Sequence, residues 1–129
     1  MNKKELKQKS SSVNIHDALF NPGSIVVIGA SNNDLKPGGR VIKNIKSHGF
    51  EGKLWAVNPK TRNILDLPTF SSIEDLPGAP DLAIIAIPAK FVLQCLKDLA
   101  RKKVRVVIIL TSGFGEKDDQ GKILEREML

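Results

Sequence analysis

A single cysteine, Cys95, leaves this 129-residue chain without an internal disulfide and sets aside the disulfide-stapled classes. No apolar run reaches membrane-spanning length, and the longest, at residues 104–110, is interrupted by Arg105. The first residues lack the apolar core of a signal peptide, so a cytoplasmic setting is expected. Aromatic residues are few, at 5%, and Phe20, Phe50, Trp55, Phe70, Phe91 and Phe114 are scattered rather than interleaved with basic side chains. With no recognition-helix or RNA-binding signature beside them, a nucleic-acid partner is disfavoured. An acid–base pair, a nucleophile triad and a metal-ligand cluster are also missing. His16 and His48 have no Ser, Asp or Cys partner at useful spacing and read as structural or solvated. Cys95 reads as core, and the adjacent pair Asp118-Asp119 as a helix start rather than a metal site. By itself the chain reads as one that binds rather than catalyses.

What is present is ordinary for a globular chain, with 41% hydrophobic and 26% charged residues, enough for one layered core. Of the net charge of +6, half lies at the start, where Lys3, Lys4, Lys7 and Lys9 stand against Glu5. Residues 1–14 therefore read as a basic, flexible, solubilising tail, and residues 15–129 as a single domain.

The domain is organised around residues 24–40. Ser24-Ile25-Val26-Val27-Ile28 is an uncharged, β-branched run of the kind that forms a strand buried on both faces. Gly29-Ala30-Ser31 follows at once, and an apolar pattern with helical spacing begins after Pro37-Gly38-Gly39. A strand, a small-residue turn and a helix start together present free N–H groups to a phosphate.

Before this corner, residues 15–20 read as a short helical turn ending at Asn21-Pro22. After it, Val41, Ile42 and Ile45 stripe one side of a helix that stops at His48-Gly49. Lys53-Leu54-Trp55-Ala56-Val57 is the next strand, halted by Asn58-Pro59. Residues 64–67 are expected as a short edge strand, since Pro68 cannot donate to a ladder, and residues 72–76 as a helical turn. Residues 81–87 form another buried strand closed by Pro88. Phe91, Val92, Cys95, Leu96 and Leu99 then share one face of a helix. Residues 104–110 are the fourth clear strand, and Asp118-Asp119 is expected to open a final helix carrying Ile123, Leu124 and Met128. This alternation implies an α/β, Rossmann-like domain: a mostly parallel sheet with helices on both faces. Because the chain ends at Leu129 inside that expected helix, it reads as the first domain of something longer.

In such a sheet the ligand lies beyond the carboxyl ends of the strands, where the strand order reverses. Four segments converge there: Gly29-Ala30-Ser31, Asn58-Pro59-Lys60, Ile87-Pro88-Ala89 and Thr111-Ser112-Gly113. Ser31 offers a hydroxyl to a phosphate, or caps its own turn. Lys60 offers a point charge to a second phosphate, or is a solvated loop lysine. Arg40, placed against the dipole near a helix start, joins Lys36 and Arg62 in a positive field. The turn lacks the second and third glycines of the dinucleotide fingerprint, and the second strand ends in Asn58-Pro59-Lys60 rather than Asp or Glu. NAD is disfavoured, whereas the extra phosphate of NADP or coenzyme A suits a lysine.

The ordered set of motifs is specific. Residues 22–31, Pro-Gly-Ser-Ile-Val-Val-Ile-Gly-Ala-Ser, resemble the opening of the CoA-binding domain of the NDP-forming acyl-CoA synthetases. That family includes ADP-forming acetate–CoA ligase and is related to the succinyl-CoA synthetase α subunit. The likeness continues through Asn44, Gly49-Phe50-Glu51-Gly52, Val57-Asn58-Pro59-Lys60, Ile64-Leu65, residues 81–89, Ser112-Gly113-Phe114-Gly115-Glu116, Gly121 and Leu124-Glu125. It spans residues 20–129 in order. The resemblance implies coenzyme A as cofactor and, in a longer chain, reversible conversion of acyl-CoA, ADP and phosphate to acid, CoA and ATP. A phosphohistidine domain and a nucleotide-binding ATP-grasp portion or β subunit would lie outside this chain, in an oligomeric whole. It also implies CoA contacts from Gly29, Ala30 and Ser31, from Lys60, from Pro88-Ala89 and from Thr111-Ser112. Thr111-Ser112-Gly113 departs from the family's more frequent Ser-Ala-Gly and makes that loop more polar. Alternatives are a stand-alone CoA- or NAD(H)-binding regulatory domain, the CoA-binding part of a protein acetyltransferase, and an NADP-dependent oxidoreductase domain.

Overall fold

The structure, a computed structural model, describes residues 21–110 and, for the backbone, residues 121–125. Four uncharged or nearly uncharged runs become the parallel strands of a sheet: β1 (Ser24–Ile28), β2 (Lys53–Val57), β4 (Leu82–Ile85) and β5 (Val106–Leu110). The two-residue β3 (Thr69–Phe70) and β6 (Gly121–Glu125) complete the order β3-β2-β1-β4-β5-β6. Pairing is parallel from β3 to β5, with Val26 beside Trp55 on one side and beside Ala83 on the other. Strands buried on both faces cannot alternate apolar with polar residues, which is why β1 and β4 read as continuous hydrophobic runs.

Two helices cover the two faces. From β1, Ile25 and Val27 point towards α1 (Pro37–Ser47), whose Ile42 is fully buried among Leu54, Ala56, Leu82, Ile84 and Val106. Val26 and Ile28 point the other way, onto α2 (Val92–Arg101), where Val92, Cys95 and Leu99 pack with Trp55, Ala83, Ile85 and Val107. Alternate residues of one strand thus seat two opposite layers, as the two-residue period of an extended chain requires. The described helices include none long and apolar enough to cross a membrane.

Both helices end in the same hydrogen-bonded motif. In α1 the Gly49 N–H donates to the Lys46 carbonyl (3.1 Å) and the Phe50 N–H to that of Ile45 (3.4 Å), with Gly49 at φ 78°. In α2 the Lys103 N–H donates to Ala100 (3.0 Å) and the Val104 N–H to Leu99 (3.1 Å), with Lys103 at φ 67°. This reversal satisfies the last carbonyls of each helix and folds the next apolar residue back onto it. Val104 and Leu99 are both fully buried.

Three expectations need correction. The edge strand is not residues 64–67: Ile64 and Leu67 instead bridge each other across a two-residue turn, with Leu65 and Asp66 at φ 48° and 62°. The edge strand starts after Pro68, whose carbonyl accepts the Ala56 N–H at 2.9 Å, so the proline stands where no donor is needed. Phe91 does not join the buried face of α2. A 3₁₀ turn (Ala89–Phe91) follows Pro88 and delays the helical register to Val92, leaving the Phe91 ring 51% exposed beneath the Lys90 ammonium. Finally, Ile123 and Leu124 lie on a strand, β6, antiparallel to β5, rather than on a helix. An edge strand offers a row of backbone donors and acceptors, and β6 satisfies those of β5. The expected tail at 1–14, the turn at 15–20, Thr111, Ser112, Asp118, Asp119 and Met128 lie outside the described residues.

Candidate functional site

The sheet order reverses at β1, where the chain leaves for β2 and β3 on one side and returns to β4 on the other. In an open α/β sheet the crevice at such a reversal, beyond the carboxyl ends of the strands, is the usual ligand site. The first turn of the candidate site hangs from the end of β1 and is tied sideways to β2. The N–H groups of Gly29 and Ala30 both donate to the Val57 carbonyl, at 3.1 and 3.3 Å. On the other side the Ala86 N–H donates to the Ile28 carbonyl at 2.7 Å. Gly29, at φ 85°, has no room for a Cβ, which would strike the Ala86 carbonyl. Three of the four expected segments, 29–31, 58–60 and 87–89, therefore follow neighbouring strand ends on one rim, and the fourth, 111–113, lies outside the described residues.

Close approach of α1 completes the corner. A Cβ on Gly38 would collide with the Gly29 carbonyl, and one on Gly39 with the Asn33 carbonyl. Both glycines are buried in the first turn of the helix. Successive glycines weaken a helix start by about 1 kcal/mol each relative to alanine. They allow the helix to press against the turn, a role the sequence reading missed. The signal was the placement of two helix-weakening residues at the head of a strongly amphipathic segment.

Each nominated side chain has a definite place. The Ser31 Oγ accepts the Asn33 N–H at 3.0 Å, so it caps its own turn while its hydroxyl hydrogen remains available to donate. Asn58, half-buried at the end of β2, donates from Nδ2 to the Ala30 carbonyl (2.9 Å). Its Oδ1 accepts the N–H groups of Lys60 (2.8 Å) and Thr61 (3.0 Å). Lys60 is exposed and belongs to neither described ion pair, Lys43–Asp34 or Arg101–Asp98. Arg40 is exposed on α1, its guanidinium directed to the Leu35 carbonyl at 3.4 Å. That contact places it against the loop 31–36. Pro88 is exposed and extended, and Ala89 opens the 3₁₀ turn. Thr111 and Ser112 follow β5 but lie outside the described residues.

A hollow of about 400 Å³ opens beside the second loop, lined by Asn58, Thr61, Arg62, Thr69, Phe70 and Asp75 among others. A larger one, about 590 Å³, lies on the flank of α1 against Asn32, Asp34, Lys43, Lys46 and Leu65. There the Lys43 ammonium hydrogen-bonds Asp34 at 2.9 Å and holds its carboxyl below the usual 3.8. Asn32 staples this flank to the 64–67 turn by accepting the Leu65 N–H (2.8 Å) and donating to the Asn63 carbonyl (3.0 Å). His48 caps the end of α1, its Nδ1 2.8 Å from the Asn44 carbonyl, in keeping with a structural role. Cys95 is buried, which pushes its thiol up to about 12 from 9.0, helped by the charge of Asp98.

Comparison with known proteins agrees with this fold. A family described as "CoA binding domain" matches residues 23–128. Acetate–CoA ligase [ADP-forming] II of Archaeoglobus fulgidus is 43% identical over 111 residues, which are 86% of this chain and 16% of that protein. The α subunit of acetate–CoA ligase [ADP-forming] II of Pyrococcus furiosus is 42% identical over 113 residues, 88% of this chain and 24% of that one. The chain thus spans less than a quarter of the length of either relative. Among solved structures, a dinucleotide-forming acetyl-coenzyme A synthetase of Ca. Korarchaeum cryptofilum, in complex with phosphate and ADP, superposes with a TM-score of 0.73. Its identity is 35% over 78% of this chain and 22% of that one.

Proposed function

This chain belongs to the CoA-binding domain family, and on that footing we propose that its rim from Ser31 to Lys60 holds the anionic end of coenzyme A. The observation that carries this reading is the lateral tie between the two loops. Because Val57 and Asn58 fasten the Gly29–Ala30 turn, a small hydroxylic turn and a lysine share one short stretch of rim. The Ser31 hydroxyl suits one phosphate group and a mobile ammonium suits another. The Gly29 and Ala30 N–H groups, both bound to the Val57 carbonyl, hold the turn in place rather than meet the ligand. Gly29, Ala30 and Ser31 shape the turn, Lys60 supplies the charge, and Pro88-Ala89 walls the crevice on the β4 side. Arg40 adds field at longer range. Thr111 and Ser112 are assigned to the last loop on resemblance alone.

The whole protein is then an ADP-forming acyl-CoA synthetase, an acid–thiol ligase interconverting acyl-CoA, ADP and phosphate with acid, CoA and ATP. This domain presents the CoA thiol, while a phosphohistidine domain and an ATP-grasp portion or β subunit carry the remaining chemistry in a cytoplasmic oligomer. The names of the ligase relatives support this reading. Calorimetric titration of the folded chain with CoA and with dephospho-CoA tests the binding claim. Saturable binding of CoA is expected, and absence of heat from either at about 1 mM, a free energy near −4 kcal/mol, overturns it.

A stand-alone binding domain is the second reading. In its favour, a solved conserved hypothetical protein of Pyrococcus furiosus, 29% identical with a TM-score of 0.63, is covered over 79% of its own length. Chain sequence continuing into phosphohistidine and ATP-grasp segments excludes that reading.

A further inference from the structure

Asn58 entered the sequence reading only as part of a segment, yet among the described residues its carboxamide is the one side chain hydrogen-bonded to both the Gly29–Ser31 turn and the Asn58–Lys60 loop. We propose that Asn58 is a positioning residue that sets the distance and direction between the Ala30 turn and Lys60. The inference rests on the CoA reading above and says how that site is held in shape.

The geometry assigns every polar atom of the side chain. Nδ2 donates to the Ala30 carbonyl, 28 positions earlier in the chain, at 2.9 Å. Oδ1 accepts from the N–H of Lys60 at 2.8 Å and from that of Thr61 at 3.0 Å. The Asn58 backbone N–H is engaged with the Phe70 carbonyl at 2.9 Å, which anchors the residue to the edge strand. Asparagine alone places an amide donor and a carbonyl acceptor on a one-carbon stem. Aspartate keeps the acceptor for Lys60 and Thr61 but sets a carboxylate against the Ala30 carbonyl. Glutamine sets the amide one carbon farther out.

This matters because Lys60 is flexible beyond its Cα. A lysine is a point charge on a four-carbon stem, so its useful reach is decided by where the stem is rooted. Asn58 roots it, and the same carboxamide fixes the turn that faces the other phosphate. A ligand anchored at two points gains from both only if their separation matches its own.

The test is a double-mutant cycle on the 129-residue chain, with CoA affinity measured by calorimetry and folding by circular dichroism. Asn58→Ala is expected to weaken CoA binding by about tenfold to a hundredfold. In the Lys60→Ala background the same substitution is expected to cost less than about threefold, because the lysine it roots is gone. Independent effects that multiply within about twofold overturn the inference, as does unchanged affinity in Asn58→Ala. Should Asn58→Ala not fold, Asn58→Gln, which stays neutral and displaces both ties by one carbon, takes its place in the cycle under the same two outcomes. Failure of the unsubstituted chain to bind CoA is a different result: it removes the CoA reading, and this inference with it.

Discussion

At the scale of single residues, Gly38 and Cys95 make opposite demands on their surroundings. Gly38 is held to glycine by the Gly29 carbonyl beneath it, so Gly38→Ala forces the helix away from the turn. Overpacking of this kind costs about 1–3 kcal/mol, and the displaced turn is part of the proposed site. We expect Gly38→Ala to lower the unfolding midpoint and to weaken CoA binding together, read by thermal unfolding and calorimetry. Cys95 packs in the apolar layer beneath α2, and burial raises its thiol to about 12. At neutral pH it is therefore inert, and an aromatic disulfide reagent should label it only as fast as the domain unfolds. The sign of its pH effect follows. Its folded pKa lies above the 9.0 of an ordinary thiol, so the stability it contributes is complete below pH 9.0 and declines as pH rises from there towards 12. For Asp34 the direction is reversed, since pairing with Lys43 lowers its pKa and the benefit is lost only as pH falls through that lowered value.

Among the elements, the ends of the two helices offer a matched pair. One motif is built once around Gly49 and once around Lys103, both with positive φ. A side chain in that conformation costs about 1–2 kcal/mol, which glycine does not incur. Lys103→Gly is expected to stabilise the domain by about 0.5–1 kcal/mol, and Gly49→Ala to destabilise it by a similar amount. Both are measured by urea unfolding, and a loss of stability in Lys103→Gly would contradict the assignment. The sequence showed these elements unevenly. β1 and β2 were legible to the residue because uninterrupted β-branched or apolar runs end at Gly29 and at Asn58-Pro59. α1 was legible through the stripe Val41, Ile42 and Ile45. The 64–67 turn was not, because non-glycine residues with positive φ leave no local mark. Leu65 is held there by Asn32 and Lys46, which are distant in sequence, and Asp66 by Asn63. β6 was misread since Ile123 and Leu124 are too few to separate a strand period from a helical one. The rim loops were found as segments, but the Asn58 tie required coordinates: a carboxamide that spans two loops shows no spacing.

For the whole molecule, charge and linkage set what can be measured. The chain carries a net +6 and its proposed ligand is a polyanion. Affinity for CoA should therefore fall as salt is raised from 0.05 to about 0.5 M, where screening shortens from about 14 to about 4 Å. Binding should also raise the unfolding midpoint as CoA concentration increases, the free energy of unfolding growing by about 2.7 kcal/mol at a hundredfold excess over Kd. NAD at the same concentration is expected to leave the midpoint unmoved, since the rim offers Lys60 where a ribose-binding carboxylate would stand. A midpoint raised equally by NAD would favour the regulatory alternative.

The rim loops are fastened to β1, which has partner strands on both sides and helices over both faces. A strand so enclosed opens only when everything opens, and its amides at 26–28 should exchange with deuterium at the slowest rate in the domain. Occupancy of the corner then reaches the entire chain. Ligand should lengthen the exchange lifetimes of distant amides in the sheet by the same factor as those beside it, with no privileged path between them.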